Sequence, residues 1–372
     1  MSVTVATQSP DQALAELEGA REGTLALLAG LSTEDLERVH SPIMSPLVWD
    51  LGHIAAYEDL WLGHRLGGLE LMRGDLAEIY DAFETPRAVR GEIELLRTAE
   101  AFAYLQAVRE RIIEMLSREG IGDGTVFELV LRHELQHAET MRQTLAIAGL
   151  LPQGEPALTA IGGAERWIEV PAGSFSMGSG PQGFAYDNER PRHEVEVGAF
   201  EISQRPVSNG SYMEFIRNGG YEREEWWSPE GWTWRQGEDI APDPGIAGGD
   251  PDAAVCHISW YEADAFARAN GARLPTEAEW EKAATRSPDA SPGLSGVGLV
   301  WEWTSTRFHG YPGFVAHPYR EYSEVFFGRD YLVLRGGSWA TDTRIAGPRF
   351  RNWDLPQRRQ IFSGVRLARD AR

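Results

Sequence analysis

The sequence predicts an α+β protein with a helical half over residues 1–155 and a mixed half over residues 156–372. Two observations predict it. Up to about residue 150, apolar side chains recur at threes and fours in long stretches rich in Leu, Ala and Glu, which marks amphipathic helices. From about residue 160 that period gives way to short alternating stretches separated by Gly and Pro. The second half also holds 11 of the 13 tryptophans, so the two halves must build their cores differently. The change falls at Leu151-Pro-Gln-Gly-Glu-Pro156, a stretch with linker composition.

Taken in order, Leu14, Leu17, Ala20, Leu25 and Leu28 outline a first helix over residues 11–30. Ser32-Thr-Glu-Asp35 has the pattern of a capping box and opens a short second helix. Ser45-Pro46 reads as an N-cap followed by proline at the first helical position. The long apolar helix it opens runs to Leu62 and carries His53 among Val48, Trp49 and Leu60. Further helices are expected over residues 93–117 and 125–148. Four long helices make an antiparallel bundle, where metal sites are built from inward side chains on different helices.

The last of these helices carries the densest chemistry. Val126, Leu129, Val130, His133, His137, Met141 and Leu145 share one face, and Gly149 and Pro152 mark its end. Residues four apart stand one above the other, so both imidazoles can reach one point and suit a first-row metal such as zinc or iron. His133-Glu-Leu-Gln-His137 also matches the zinc-protease pattern, with Glu134 as general base. The extended pattern needs a histidine at position 143, where Gln stands, and no helix follows at once to deliver a glutamate ligand. A zinc peptidase is therefore disfavoured, and a further histidine must come from elsewhere. His53 is either a hydrogen-bonded core residue or that third ligand.

Between the second and third long helices, the stretch Ile79–Arg90 carries Asp81, Arg87 and Arg90 among its polar residues, and Thr85-Pro86 signals a turn or a helix start. The stretch is either a solvated connector or a fork for carboxylates, which guanidinium groups bind in pairs. In the second half, Trp167-Ile-Glu-Val-Pro171 and Glu194–Phe200 read as strands. Helices are expected from Ser208 or Asn209 through Arg217 and from Trp260 to Asn270, the latter ending at Gly271. The tryptophans are expected to anchor irregular loops by burial and indole hydrogen bonds.

The net charge of -21 argues against a general basic field for nucleic acid or anionic membranes. A single cysteine, Cys256, allows no intramolecular disulfide, and a cytoplasmic setting is expected. Residues 1–10 lack the basic and apolar regions of a signal peptide, and no apolar run approaches the ~20 residues of a membrane span. The oligomeric state is not legible.

Several motifs carry a family resemblance. Phe175-Ser-Met-Gly178, Tyr186-Asp-Asn-Glu-Arg-Pro-Arg-His193, Leu274-Pro-Thr-Glu-Ala-Glu-Trp-Glu281, Val300-Trp-Glu-Trp-Thr304 and Leu334-Arg-Gly-Gly-Ser-Trp339 resemble the formylglycine-generating-enzyme-like, C-type-lectin-like fold. The first half resembles DinB-like four-helix bundles. Joined in this order, the halves resemble the non-haem iron sulfoxide synthases of ergothioneine biosynthesis. The segment Ser41–His53 resembles the first ligand helix of that family, His133 and His137 its second, and Phe350–Phe362 its C-terminal substrate loop.

The resemblance implies an Fe(II) enzyme that uses O2 to join a thiol sulfur to an imidazole carbon of hercynine. The ligands would be His53, His133 and His137. Asp81, Arg87, Arg90, Asp354 and Arg358 fall where the γ-glutamylcysteine type places its thiol contacts, and Gln136, Asn352 and Trp353 where hercynine is held. A tyrosine proton donor is implied, with Tyr319 the first candidate and Tyr311 the second. An aromatic face suits a quaternary ammonium, and Arg with Asp suits a zwitterionic thiol. Because pockets favour domain interfaces, residues 351–359 are expected to form a loop closing over the three histidines. The stretch Arg286–Gly298 is shorter than in this family. Formylglycine-generating enzymes act through a cysteine pair, so sulfatase activation is disfavoured here. A sibling synthase using free cysteine, histidine or a selenosugar remains an alternative, as does a non-catalytic ligand-binding protein.

Overall fold

The structure, a computed structural model, describes residues 9–154, 158–161, 166–286 and 293–371. Its chain divides into two compact units. The first comprises residues 1–155 with 181–184, the second residues 156–180 with 185–372. The linker residues Glu155 and Pro156 lie outside the described residues, as do residues 287–292 of the shortened stretch.

In the first unit, α1 (Pro10–Leu28), α3 (Leu47–Glu58), α4 (Thr98–Glu119) and α5 (Thr125–Ala148) form the bundle, with the short α2 (Thr33–Glu37) between the first two. Ser32 and Asp35 close the expected capping box on α2, and Gly149 ends α5 in the left-handed conformation at φ 69°. Leu17, Trp49, Leu51, Ile112, Phe127, Met141 and Leu145 lie in one core.

Two boundaries differ from expectation. The N-cap of α3 is Pro46, not Ser45, because the Ser45 hydroxyl accepts a hydrogen bond from Arg90 Nη1 at 2.8 Å. The α4 helix starts at Thr98 rather than residue 93. Glu100 accepts from the Arg97 amide at 3.0 Å, and Glu37 accepts from both the amide and the hydroxyl of Thr98 at 3.0 Å, which fixes the start there. Beyond Glu58, α3 widens into a π-helical turn over Asp59–Leu66.

Each bundle helix contributes one charge to a buried cluster, and all four residues are at most 5% exposed. Arg21 on α1 and Arg109 on α4 both bind Glu58 on α3 and Glu134 on α5, at 2.7–2.9 Å. Burial alone would raise the Glu58 carboxyl, but Arg109 and Arg21 outweigh it and hold it below its ordinary value. Two cations and two anions leave no net buried charge, and α3 and α5 are bound to the same two guanidinium groups.

The second unit carries a sheet in the order β1 (Trp167–Val170), β4 (Phe200–Ser203), β9 (Ala368–Asp370) and a hairpin of β2 (Gly173–Met177) with β3 (His193–Val197). A four-stranded sheet follows in the order β7 (Asn352–Asp354), β6 (Leu332–Arg335), β5 (Trp301–Arg307), β8 (Ser363–Gly364), with β5 and β8 parallel. The single strand expected over Glu194–Phe200 is two strands. The chain leaves the hairpin at Gly198 and Phe200 joins another sheet, so one alternating run serves both.

Helices α6 (Asn209–Arg217) and α9 (Trp260–Ala269) occur as expected, capped by Ser208 and by a Ser259–Glu262 box. Helices α7 (Pro229–Gly237), α8 (Pro244–Gly248) and α10 (Glu277–Ala284) were not anticipated, although Ser228, Asp243 and Thr276 cap them.

The tryptophans anchor loops through their indoles. Trp227 donates to Gly220 O at 2.8 Å, Trp260 to Thr304 O at 2.8 Å and Trp303 to Ile258 O at 3.0 Å. Buried forks join distant segments: Arg351 binds Glu277 at 2.8 and 2.9 Å, and Arg366 binds Glu302 through two contacts of 2.7 Å. No described helix is long and apolar enough to cross a membrane.

Candidate metal centre

The bundle brings His53 from α3 together with His133 and His137 from α5. One ring nitrogen from each lies within 4.8 Å of the others. The Nε2 atoms of His53 and His133 stand 3.0 Å apart. Burial, reinforced by the neighbouring His137, holds the His53 and His133 imidazoles well below their ordinary pKa. They are therefore neutral at pH 7, the form that binds a metal.

The ring nitrogens turned away from the cluster have partners of different kinds. His53 Nδ1 meets the Tyr80 carbonyl at 2.6 Å, and His137 Nδ1 meets the buried Asp50 carboxylate at 2.9 Å. Both contacts are met when Nδ1 carries the proton, which leaves each Nε2 lone pair facing the cluster. Around His133 the support is a ring: Tyr57 stacks on it at 3.7 Å and 10°. Trp49 stacks on His53 at 4.6 Å and 16°. This donor set of three imidazoles fits a first-row metal with positions left for other ligands.

Glu134 does not serve as the base of a zinc-protease motif. Its carboxylate is buried and held by Arg21 Nε at 2.7 Å and Arg109 Nη2 at 2.8 Å. Gln136, half-buried, lies next to His137 on α5.

The stretch expected to bind carboxylates is a turn followed by a single 3-10 turn over Arg87–Val89. Asp81 is exposed, and its carboxylate accepts from the amides of Phe83 at 2.7 Å and Glu84 at 3.2 Å, which orders the turn. Arg87 is exposed. Arg90 is buried and donates to Thr85 O and Ala82 O of the loop and to Ser45 Oγ ahead of α3, so three of its five N–H groups are already engaged.

In the second unit, Asn352, Trp353 and Asp354 form β7 rather than part of a loop, because their backbone pairs with β6 in the register Leu334↔Asn352 to Leu332↔Asp354. Trp353 stacks on Phe308 at 4.1 Å and 8°, with Tyr322 edge-on at 6.0 Å. Asp354 accepts from the Leu355 amide at 2.7 Å, and Arg358 Nε lies 3.9 Å from its carboxylate. Tyr319 is half-buried, edge-on to Tyr322 at 6.3 Å. Tyr311 is only 6% exposed and lies under the Arg351 guanidinium at 4.2 Å. Its hydroxyl has no hydrogen-bond partner among the described residues, and burial pushes its pKa up.

A carbonyl and a carboxylate behind the ring nitrogens match what sequence reasoning expects of a metal site, but it named none of Asp50, Tyr57 and Tyr80 for that role. Asp50, Trp49 and Tyr57 stand three or four residues from His53 on α3, so helical spacing could have singled them out. Tyr80 acts through its carbonyl, which leaves no side-chain signature.

Comparison with known proteins agrees with this architecture. A family model of the DinB superfamily matches residues 16–141. The sulfatase-modifying factor enzyme 1-like domain matches residues 156–293 and 293–371, the two stretches meeting inside the shortened segment. A hercynine oxygenase of Mycobacterium tuberculosis is 39% identical over 427 aligned positions, covering 97% of this chain and 99% of that protein. The hercynine oxygenase of Mycolicibacterium smegmatis is also 39% identical, covering 95% of this chain and 98% of the relative. Ergothioneine biosynthesis protein 1 of Schizosaccharomyces pombe is 24% identical, covering 97% of this chain and 56% of that protein. Carrying a DinB bundle with three convergent histidines ahead of a sulfatase-modifying-factor-like domain, and matched over nearly its whole length by the two mycobacterial relatives, the chain belongs to the hercynine oxygenase family.

Proposed function

We propose that this protein is an Fe(II)- and O2-dependent sulfoxide synthase joining γ-glutamylcysteine to hercynine in ergothioneine biosynthesis. The observation that carries the reading is the cluster His53, His133 and His137 in a chain 39% identical, over nearly its whole length, to hercynine oxygenases. The overall reaction balances without an external reductant. The thiol S–H and an imidazole C–H are lost, a C–S bond forms, one oxygen atom of O2 ends on sulfur and the other leaves as water.

His53, His133 and His137 would hold the iron, which when bound supplies the redox chemistry that activates O2. Tyr80 O and Asp50 fix the tautomers of His53 and His137, so that lone pairs rather than N–H groups face the metal position. Arg87, exposed on a turn ordered by Asp81, is assigned with Arg358 to the carboxylates of the thiol substrate, and Asp354 accepts from its ammonium group. Gln136, Asn352 and Trp353 are assigned to hercynine. The Trp353 ring supplies the aromatic face that a quaternary ammonium prefers. The proton donor is assigned to Tyr319 rather than Tyr311, whose hydroxyl is closed in beneath Arg351.

The test is aerobic turnover of iron-loaded protein with hercynine and each thiol in competition, read as O2 uptake and product mass. The expected result is a sulfoxide of hercynine and γ-glutamylcysteine, made at one O2 per product. The His133→Ala variant should lose iron and turnover while keeping its helical content. Full iron and turnover in that variant, or preferred use of free cysteine, would overturn the assignment of the metal site or of the thiol respectively.

A further inference from the structure

The segment assigned to the thiol carboxylates is attached to a metal ligand by two routes within the bundle. The first is direct: Tyr80 O, one residue before Asp81, holds His53 Nδ1 at 2.6 Å. The second runs through Arg90. Its guanidinium gathers the loop by donating to Thr85 O at 2.8 Å and Ala82 O at 3.2 Å. The same group lies 3.4 Å from the centre of the Trp49 ring, and Trp49 stacks on His53. Trp49 Nε1 also donates to Ile79 O at 3.1 Å, which joins the two routes at the start of the loop.

Arg90 is electrostatically unfinished. It is only 5% exposed, and no carboxylate among the described residues forms an ion pair with it. Burial, with Arg87 nearby, pushes its pKa down to about 9, although Asp50 and Asp81 act in the opposite direction. An anion brought to this loop would relieve that cost and order the segment on which the His53 contacts depend.

Resting on the metal and thiol assignments above, we propose that carboxylate binding at loop 81–90 and metal binding at the three histidines are thermodynamically linked. Arg90 is the positioning residue that couples them through Trp49 to His53. The loop is then part of the metal site's support, and each ligand tightens the other by the same factor.

The test uses full-length, metal-free protein titrated with Co(II), with and without γ-glutamylalanine. This dipeptide carries the substrate's carboxylates but no sulfur, so direct thiolate ligation cannot produce the effect. The dipeptide should tighten Co(II) by about 5- to 50-fold, and Co(II) should tighten the dipeptide by the same factor. Arg90→Met should weaken Co(II) binding even without dipeptide, alter the Co(II) absorption spectrum and bring the factor to one. Arg90→Lys, which restores a cation over Trp49, should recover part of the affinity.

Co(II) binding by the native chain with a factor of one overturns the linkage alone, and this measurement stands even if Arg90→Met fails to fold. A folded Arg90→Met with native Co(II) affinity and an undiminished factor removes Arg90 from the coupling. Failure of the native chain to bind Co(II) at all would overturn the metal reading and this proposal with it.

Discussion

Replacing Glu134 by Gln separates the two readings of the His133–His137 pentapeptide. As a zinc-protease base, Glu134 would be needed for chemistry and dispensable for folding. Here it accepts from Arg21 Nε at 2.7 Å, Arg21 Nη2 at 3.3 Å and Arg109 Nη2 at 2.8 Å, inside the bundle at 1% exposure. Gln keeps one acceptor but turns an amide N–H2 toward a guanidinium, and it leaves two buried cations facing one anion. Breaking one partner of a buried ion pair costs about 3–5 kcal/mol, more than a hundredfold in the unfolding equilibrium. With a urea slope of about 2 kcal/mol/M, the midpoint of the helical unit should fall by roughly 1.5–2.5 M.

Far-ultraviolet circular dichroism would follow this transition, because most of the long helices belong to the bundle. Losing Glu58 should also blunt acid sensitivity. Glu58 is held below its ordinary value, so its stabilisation is complete above the usual carboxylate range and is lost as pH falls through its folded pKa. An unchanged urea midpoint in Glu134→Gln, with activity abolished, would refute the structural assignment and revive Glu134 as a chemical group.

Three further outcomes are expected. Asp50→Asn should weaken metal binding about 10- to 100-fold by equilibrium titration, since it removes the charge that orients His137; native affinity would show that the carboxylate is dispensable. Arg87→Ala should weaken the thiol substrate by about 1–3 kcal/mol in steady-state kinetics and leave hercynine nearly unaffected; equal losses would contradict the assignment. Asp187, in the second unit, is pushed up to about 6 by burial, so its charging destabilises the fold as pH rises from about 4 through 6. Asp187→Asn should therefore gain about 1–2 kcal/mol near pH 8 and nothing near pH 4, by thermal unfolding; an equal gain at both pH values would rule out charge as the cause.

The elements legible in the sequence are those whose signal is local. α5 has both a 3.6-residue face and Gly149 at its end, and α2 has a complete capping box, so both could be placed from residues alone. The boundaries that slipped were set by distant partners. Ser45 has the chemistry of a cap but is claimed by Arg90, and Thr98 begins α4 because Glu37, on another helix, holds it.

Strand β7 was hidden for a similar reason. Three residues cannot show a period, and only pairing with β6 makes them a strand. The three imidazoles are readable because residue type and helical spacing carry the signal. Their supports are less so: Asp50 serves a histidine on another helix, and Tyr80 contributes a backbone oxygen. The short α10 carries a Thr276–Glu279 box that local reasoning could have used.

Gly52 bears on how this protein could be engineered. It lies inside α3, where replacing glycine by alanine normally stabilises a helix by about 1 kcal/mol. A Cβ at that position would stand only 2.3 Å from the Tyr80 ring. The helix gives up part of its own propensity so that Tyr80 can lie against it and present its carbonyl to His53. A stabilising substitution chosen from helix propensity alone would therefore displace a metal ligand's support. In a screen for heat resistance, variants at position 52 should stand out by losing metal before they lose helix.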